Sequence, residues 1–392
     1  MRPFFKLRAR RLPDEAGQAP APRAPRPDEA KSAAILAALS AGAPAQWTGR
    51  SYGALAREGF LRNPVAYRCV RLVAEAAGAV PLLLYTRQQE LTEHPVLTLL
   101  ARPNERQSGI DFLETLYGHL LLSGNAYVEG VAIDGRLRAL HLLRPDRIRI
   151  VEGADGWPDA YEYRLGGRVR RHGAADGLLL HLRLFHPLDD HLGYPPLAAA
   201  QTALDLSNAA ARWNKALLDN SARPSGALVY QPKEGGNLPP EQFDRLKSEL
   251  DDGYTGPARA GRPLLLEGGL DWKPMGLSPR EMDFVEARNG AARDIALAFG
   301  VPPMMLGLPG DNTYANYQEA NRAFFRLTVL PMIGRTLAAL SVWFGERFGE
   351  DLSLRPDLDA VAGLSAERGE LWKRLSEADF LTEAEKRQAV GY

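Results

Sequence analysis

Residues 301–325 read VPPMMLGLPGDNTYANYQEANRAFF. Inside this stretch, Gly307, Leu308, Pro309, Gly310, Asp311, Asn312 and Thr313 form a run that no helix would choose. The flanks read as strong helices. Upstream, Ser278-Pro279-Arg280-Glu281 combines a capping serine, a first-turn proline and a glutamate that can reach back. The helix it opens is predicted to run to Phe299 and stop at Gly300, before Pro302-Pro303. Downstream, a long helix is predicted from about Tyr314 past Trp343. Pro331 lies within it and predicts a kink, because proline removes one ladder bond and crowds the preceding turn. A tight turn would join two such helices, so a polar, glycine-bearing loop calls for another explanation. A plain helix–helix connector is the alternative.

Working outward, Tyr194-Pro195-Pro196 opens an alanine-rich helix predicted over 197–219. A break follows at 220–226 and then a compact insert. Its predicted elements are strand 227–231, helix 240–251, strand 263–267 and strand 270–274. Phe243, Leu246 and Leu250 give the inserted helix one apolar stripe. Two helices, 197–219 and 279–299, thus bracket the insert and make it project from the body. Elongated, wedge-like subunits of that kind pack well in rings. Ala198, Ala199, Ala203, Ala209 and Ala210 permit close helix approach, either in the chain's own core or against a neighbouring subunit.

Folded structure is expected to begin near Ser51. Asn63-Pro64 starts a helix in which Val65, Cys69, Leu72, Val73 and Ala76 recur at helical spacing. A strand at 81–85, a short helix at 96–101 and a helix from a Ser108 cap to about Leu122 follow. From Asn125 the apolar period becomes two. Predicted strands at 126–132, 137–142, 147–151, 161–165, 169–171 and 178–183 read as one antiparallel meander, with Asp134-Gly135 as a hairpin turn. The tail from Leu354 reads as short charged helices. The expected fold class is α+β.

The chain has 392 residues, of which 45% are apolar and 24% charged. Those values fit a soluble globular protein. Basic and acidic residues balance at 48 each, which argues against gripping nucleic acid over the whole surface. Cys69 is the single cysteine. It allows no intrachain disulfide and no cysteine zinc site, and its apolar setting predicts a buried, inert thiol. Residues 1–50 begin basic (Arg2, Lys6, Arg8, Arg10, Arg11) and turn Pro/Ala-rich, which reads as a flexible arm. It lacks the apolar core of a signal peptide. The arm could touch phosphate or serve as a partner-binding tail. No stretch reaches the ~18 uninterrupted apolar residues of a membrane span.

Motifs for chemistry are sparse. The chain has no G-x-x-x-x-G-K-[ST], no H-E-x-x-H and no G-x-S-x-G, which counts against the common enzyme classes. The best metal candidate is HPLDDH, with His186, Asp189, Asp190 and His191. The same residues suit a turn between a strand and a helix. Asp155, Asp159 and Glu162 could pair for acid–base work, or simply be solvated surface.

Seven short motifs now stand in order: NPVAY from Asn63, HPVLTLL from His94, SGNAY from Ser123, GYPPL from Gly193, ARPSG from Ala222, LEGGL from Leu266 and FGVPP from Phe299. Together they resemble the phage portal proteins of tailed bacteriophages and phage-derived gene transfer agents, over about residues 63–348. The residues after about Asp351 fall outside that resemblance. It implies a non-enzymatic subunit with no metal and no cofactor, in a ring of about twelve copies at one capsid vertex, with double-stranded DNA passing through the axial channel. It implies an α+β subunit with wing, stem, clip and crown. On this chain they fall as arm 1–50, wing 51–195, first stem helix 196–225, clip 226–278, second stem helix 279–300, tunnel-loop region 301–313, kinked wing helix 314–350 and a short helical crown 351–392. The implied partners are further copies of the chain, the DNA, the large terminase, the head–tail adaptor and the major capsid protein, with no membrane. The implied location is a virion or virion-like particle, and the host cytoplasm during assembly. The alternatives are a ring-forming adaptor or capsid component without a DNA channel, and a metal-dependent enzyme centred on His186 and His191.

The composition of 307–313 fits the tunnel-loop role. A loop beside moving DNA should hinge, stay small and carry few fixed cations, because each Lys or Arg contact to phosphate adds salt-dependent grip. Gly307 and Gly310 supply backbone freedom. Asp311, Asn312 and Thr313 are polar without attracting phosphate.

Overall fold

The computed structural model describes residues 48–49, 51–87, 89–219, 226–230, 270–274, 284–309 and 313–391, and five positions between 241 and 248. The arm up to residue 47, most of the expected helix 240–251, the expected strand 263–267, the helix start at Ser278 and residues 310–312 lie outside the described residues.

Helix α1 (Tyr52–Leu55) is capped by the Ser51 hydroxyl and continues as a wide π turn over Ala56–Phe60. Helix α2 (Pro64–Gly78) starts where Asn63 Oδ1 accepts the N–H groups of Val65 and Ala66, both at 3.0 Å. That cap satisfies two of the four orphan donors of a helix start. Its buried stripe of Ala66, Cys69, Val70, Val73 and Ala77 packs on α4 below. Strands β1 (Leu82–Thr86) and β2 (Gln89–Glu90) precede α3 (Pro95–Ala101), which the His94 imidazole caps. Helix α4 (Gly109–Ser123) carries a full Ser108/Asp111 capping box and ends on Gly124 at φ 75°.

Strands β3 (Asn125–Ile133) and β4 (Arg136–Leu143) turn tightly at Asp134-Gly135, both at positive φ. Then come β5 (Ile148–Glu152), β6 (Pro158–Leu165), β7 (Arg168–Gly173) and β8 (Leu179–Arg183). These strands do not make the single meander that the alternation predicts. β5, β6 and β7 form their own antiparallel sheet, and β8 returns to pair with β3 in a β4-β3-β8 sheet. Period-two patterning reports that strands are half-buried, not which strands pair. The register Tyr127↔His181 is set by tertiary packing against the β6 residue Tyr161.

Short helix α5 (Pro196–Ala199) and long helix α6 (Gln201–Asp219) are separated by a break at Ala200. Strands β9 (Gly226–Tyr230) and β10 (Leu270–Pro274) pair antiparallel as the described part of the insert. Helix α7 (Phe284–Ala298) packs against α6. Ala291, Ala292 and Ala296 on α7 and Ala198 and Ala210 on the earlier helices are buried in this chain, while Ala199 and Ala209 stay exposed.

Helix α8 (Tyr314–Phe324) passes through a π turn (Phe325–Val329) into α9 (Leu330–Phe348). Leu330 N–H reaches back to Phe325 O, an i→i−5 bond. Pro331 follows at once. It has no N–H to offer Leu327 O, and its ring needs room in the preceding turn. The run Ala315–Phe348 is long and apolar enough to cross a membrane by length and composition. Its Phe324, Val329, Ile333, Leu337, Leu340 and Phe344 belong to the buried core.

The tail corrects the expectation of charged helices from Leu354. Strand β11 (Leu352–Pro356) comes first, pairing antiparallel with β1 in a β11-β1-β2 sheet. Leu352 and Leu354 bury on the core side, and Leu354 N–H donates to Ser341 Oγ at 2.8 Å. Five residues after a glycine-terminated helix carried too few apolar positions to announce a strand. Only afterwards come α10 (Ser365–Ser376) and α11 (Glu383–Val390).

Candidate functional site

The loop is built between α7 and α8. Helix α7 ends in a Schellman motif: Gly300 sits at φ 64°, its N–H bonds Leu297 O at 3.0 Å, and Val301 N–H bonds Ala296 O at 2.9 Å. Thr328 clamps this end by donating its hydroxyl to Gly300 O at 2.7 Å. A Cβ at Gly300 would lie 2.5 Å from Thr328 Oγ1. One 3₁₀ turn, Pro303–Leu306, follows and is ended by Gly307 at φ 69°. Gly307 N–H and Leu308 N–H fold back on Met304 O and Pro303 O at 3.2 and 3.3 Å.

Gly307, Pro309 and Thr313 are exposed and Leu308 is half-buried. Gly310, Asp311 and Asn312 lie outside the described residues. Thr313 caps α8 by accepting Asn316 N–H at 3.3 Å. Arg293 on α7, which sequence reading overlooked, donates Nη2–H to Pro309 O at 2.8 Å. Beside the loop lies a groove of about 550 Å³, lined by Arg293, Pro302, Met304, Leu308, Asn316 and Glu319 among others. No lysine or arginine stands between Arg293 and Arg322 in the chain. The gap could have been found by counting, and it would have drawn attention to Arg293.

Of the short motifs singled out in the sequence, ARPSG and LEGGL lie almost wholly outside the described residues, and the joints below are built from the others. Asn63 is buried, and its Nδ2 donates to Ser207 Oγ at 3.1 Å and Asn208 Oδ1 at 3.0 Å, tying α2 to α6. Gly124 and Gly193 meet backbone to backbone, and a Cβ on Gly193 would stand 2.0 Å from Gly124 O. Asn125 fastens that contact. Its Oδ1 accepts Gly193 N–H at 2.8 Å and faces His181 Nε2 at 2.9 Å, and its Nδ2 donates to Ser123 O at 2.8 Å. Burial, with the charges of Arg183 and His191 adding, pushes the His181 imidazole down to about 3. His94 Nδ1 accepts Val96 N–H at 3.2 Å, while Nε2 lies 3.4 Å from Glu350.

The HPLDDH candidates are spent on turns. Asp189 Oδ1 accepts His191 N–H at 2.8 Å and Leu192 N–H at 2.7 Å, the largest reason its carboxyl sits below the usual range. His186 Nδ1 accepts Leu188 N–H at 3.1 Å, and His191 Nε2 lies 3.9 Å from Glu152. Among the described residues, no group of three or more His, Cys, Asp or Glu side chains could hold a metal ion. Asp155 caps its own turn, Asp159 pairs with Arg171 at 2.7 Å and Glu162 with Arg164 at 3.6 Å. The pairs are exposed on at least one side, where such contacts are worth little. Cys69 is fully buried, and burial pushes its thiol up to about 12.

The fold combines a body of sheets and helices (residues 52–183), two helices packed together on either side of an insert, and a loop leading into a long broken helix. The model of the phage portal protein family matches residues 64–391. The match therefore reaches well past residue 348, where the sequence resemblance was expected to end, and takes in β11 and both terminal helices. The chain is 51% identical to a chain in the neck of an empty gene transfer agent particle, covering 91% of this chain and 98% of that one at a TM-score of 0.70. It is 50% identical to a chain in the neck of a native particle computed with C12 symmetry, with coverages of 91% and 98% and a TM-score of 0.68. The probable portal protein of Streptomyces phage phiC31 is 27% identical, over 80% of this chain and 70% of that protein. The chain belongs to the phage portal protein family.

Proposed function

We propose that twelve copies of this chain form a ring at one capsid vertex and that double-stranded DNA is packaged and ejected through its centre. The observation that carries the ring is the 50% identity to the chain from a neck computed with C12 symmetry, across 98% of that chain. The wing is residues 51–195 with the helix 314–350, and strand β11 joins it through its pairing with β1. The stem is 196–225 and 279–300, the clip is 226–278, and the crown reduces to the helices after β11. The clip docks the large terminase and then the head–tail adaptor, and the wing meets the major capsid protein. The chain performs no catalysis in this reading. Terminase supplies ATP hydrolysis, in keeping with the missing phosphate-binding loop.

Residues 307–313 line the narrow part of the channel. What supports this is the placement of the loop between a stem helix and the broken wing helix, together with the cation-free stretch from Asp294 to Asn321. DNA must slide there, and slow-releasing phosphate contacts would retard it. A photocrosslinker placed at Thr313 should attach to DNA in filled particles. Filled particles without crosslinks, in rings of normal appearance, would leave a ring-forming component that is not the conduit. Asp311→Arg should slow DNA passage while leaving the ring intact, and unchanged packaging at low salt would refute the weak-grip argument.

A further inference from the structure

Among the described residues, Arg293 is the one cation that touches residues 307–309 of the loop. Its guanidinium holds the Pro309 carbonyl at 2.8 Å. It is exposed and has no ion-pair partner among the described residues. Glu319, the carboxylate lining the same groove, is taken by Arg322 at 3.2 Å. Arginine has five donors in a planar fork, and a neutral carbonyl uses only part of that capacity. The open groove of about 550 Å³ gives the side chain room and gives an anion access to it.

We propose that Arg293 alternates between two partners: the Pro309 carbonyl, which keeps the first half of the loop folded against α7, and a DNA phosphate, which takes the guanidinium and frees the loop. This rests on the reading of 307–313 as channel-facing. A phosphate is the stronger partner, because the bond is charge-assisted on both sides and can be bidentate. The exchange keeps net grip low, since the guanidinium must let go of the loop whenever it takes hold of a phosphate. It also makes the release local, so that only subunits whose Arg293 meets a phosphate free their loops.

The test uses assembled full-length protein and amide hydrogen exchange at Gly307 and Leu308, whose N–H groups are held by the turn. Without DNA, Arg293→Gln should speed exchange there roughly two- to fivefold, the value of one net hydrogen bond of modest strength. Adding a short blunt DNA duplex at low salt should raise wild-type exchange toward the level of the variant and leave the variant unchanged. The salt slope of DNA binding should fall by about one for each engaged arginine in Arg293→Gln and be kept in Arg293→Lys. Equal exchange in wild type and Arg293→Gln without DNA overturns the loop-holding contact. DNA binding with an unchanged salt slope overturns the phosphate contact alone. A ring that binds no DNA at low salt overturns the phosphate contact, while the channel reading stands or falls on the Thr313 crosslink in filled particles, so the two failures are distinguishable.

Discussion

Acid should loosen the joint between β3, β8 and the segment that opens α5 through one imidazole, His181. Its ring stacks on Tyr127 with centroids 4.3 Å apart and meets Tyr161 edge-on at 5.8 Å. Asn125 Oδ1 accepts, so the proton of the neutral ring sits on Nε2. A second proton would have to go onto Nδ1 in a poorly solvated site. This is why burial dominates the fall of its pKa to about 3. The unfolded chain takes that proton near an ordinary pKa of about 6.5. A depressed basic group stabilises the native state above the unfolded pKa, and its contribution is lost as pH falls from there toward the folded value. At about pH 4.5 two pH units of that window have been crossed, worth roughly 2.7 kcal/mol at ~1.4 kcal/mol per unit.

The comparison is with His181→Gln, which keeps an N–H for Asn125 Oδ1 and cannot titrate. Urea unfolding near neutrality and at about pH 4.5 measures both proteins. The wild type should lose roughly 2–3 kcal/mol more than the variant between the two conditions. His119, also pushed down to about 4, chiefly by burial, titrates in both and cancels in the difference. Parallel pH profiles for the two proteins would show that His181 gains a proton natively without penalty, and would refute the desolvation account. The consequence for assembly follows from Asn125, which also holds Gly193 N–H at 2.8 Å. Disturbing His181 disturbs the segment that opens α5.

Asn63→Ala should cost roughly 2–3 kcal/mol, summing a lost helix cap and the bonds to Ser207 and Asn208, while Asn63→Asp recovers the cap alone; thermal unfolding of both ranks them. Gly300→Ala forces a side chain to φ 64° and toward Thr328 Oγ1, for an expected loss of about 1–3 kcal/mol, and a melting temperature equal to wild type would contradict it. Ending the chain after Asp351 removes β11 and strips its partner β1, whose Leu84 is 1% exposed; each of Leu352 and Leu354 forfeits roughly 1.5–3 kcal/mol of burial, so the truncated chain should be recovered insoluble. Cys69, with its thiol near 12, should resist iodoacetamide in the native protein and react once urea is added; rapid native labelling would mean the helix α2 face is open.

Local chemistry made much of the fold readable, and non-local pairing did not. Asn63, Ser108 and Gly300 each announce a helix boundary because the orphan groups of a helix end accept few solutions. Asp134-Gly135 does the same for a hairpin. By contrast, β8 and β11 return across long sequence gaps to β3 and β1. Their few apolar residues say only that one face is buried. The π turn at Phe325–Val329 was signalled only indirectly, by Pro331. At the loop, composition revealed what 307–313 lacks, namely cations. It marked Arg293 as the edge of the cation-free stretch but could not reveal its contact with Pro309, sixteen positions on, which the fold of α7 and the 3₁₀ turn brings about.

The same contrast explains where the recognisable motifs lie. Asn63, His94, Asn125, Gly193 and Gly300 all work at joints, where geometry leaves almost no choice. A methyl group on Gly193 would stand 2.0 Å from a carbonyl oxygen, and no flexible side chain can yield there. A surface past which DNA slides has the opposite requirement. It must be soft, small and free of strong phosphate contacts, and many sequences meet those terms. So the residues that identify this chain as a portal subunit are the ones that keep its parts rigidly oriented, and the segment proposed to meet the DNA is almost featureless. If the segment meets the DNA as proposed, the exposed Arg293 on the adjoining helix is the most informative residue beside it, since there holding the loop and holding a phosphate would compete for the same atoms.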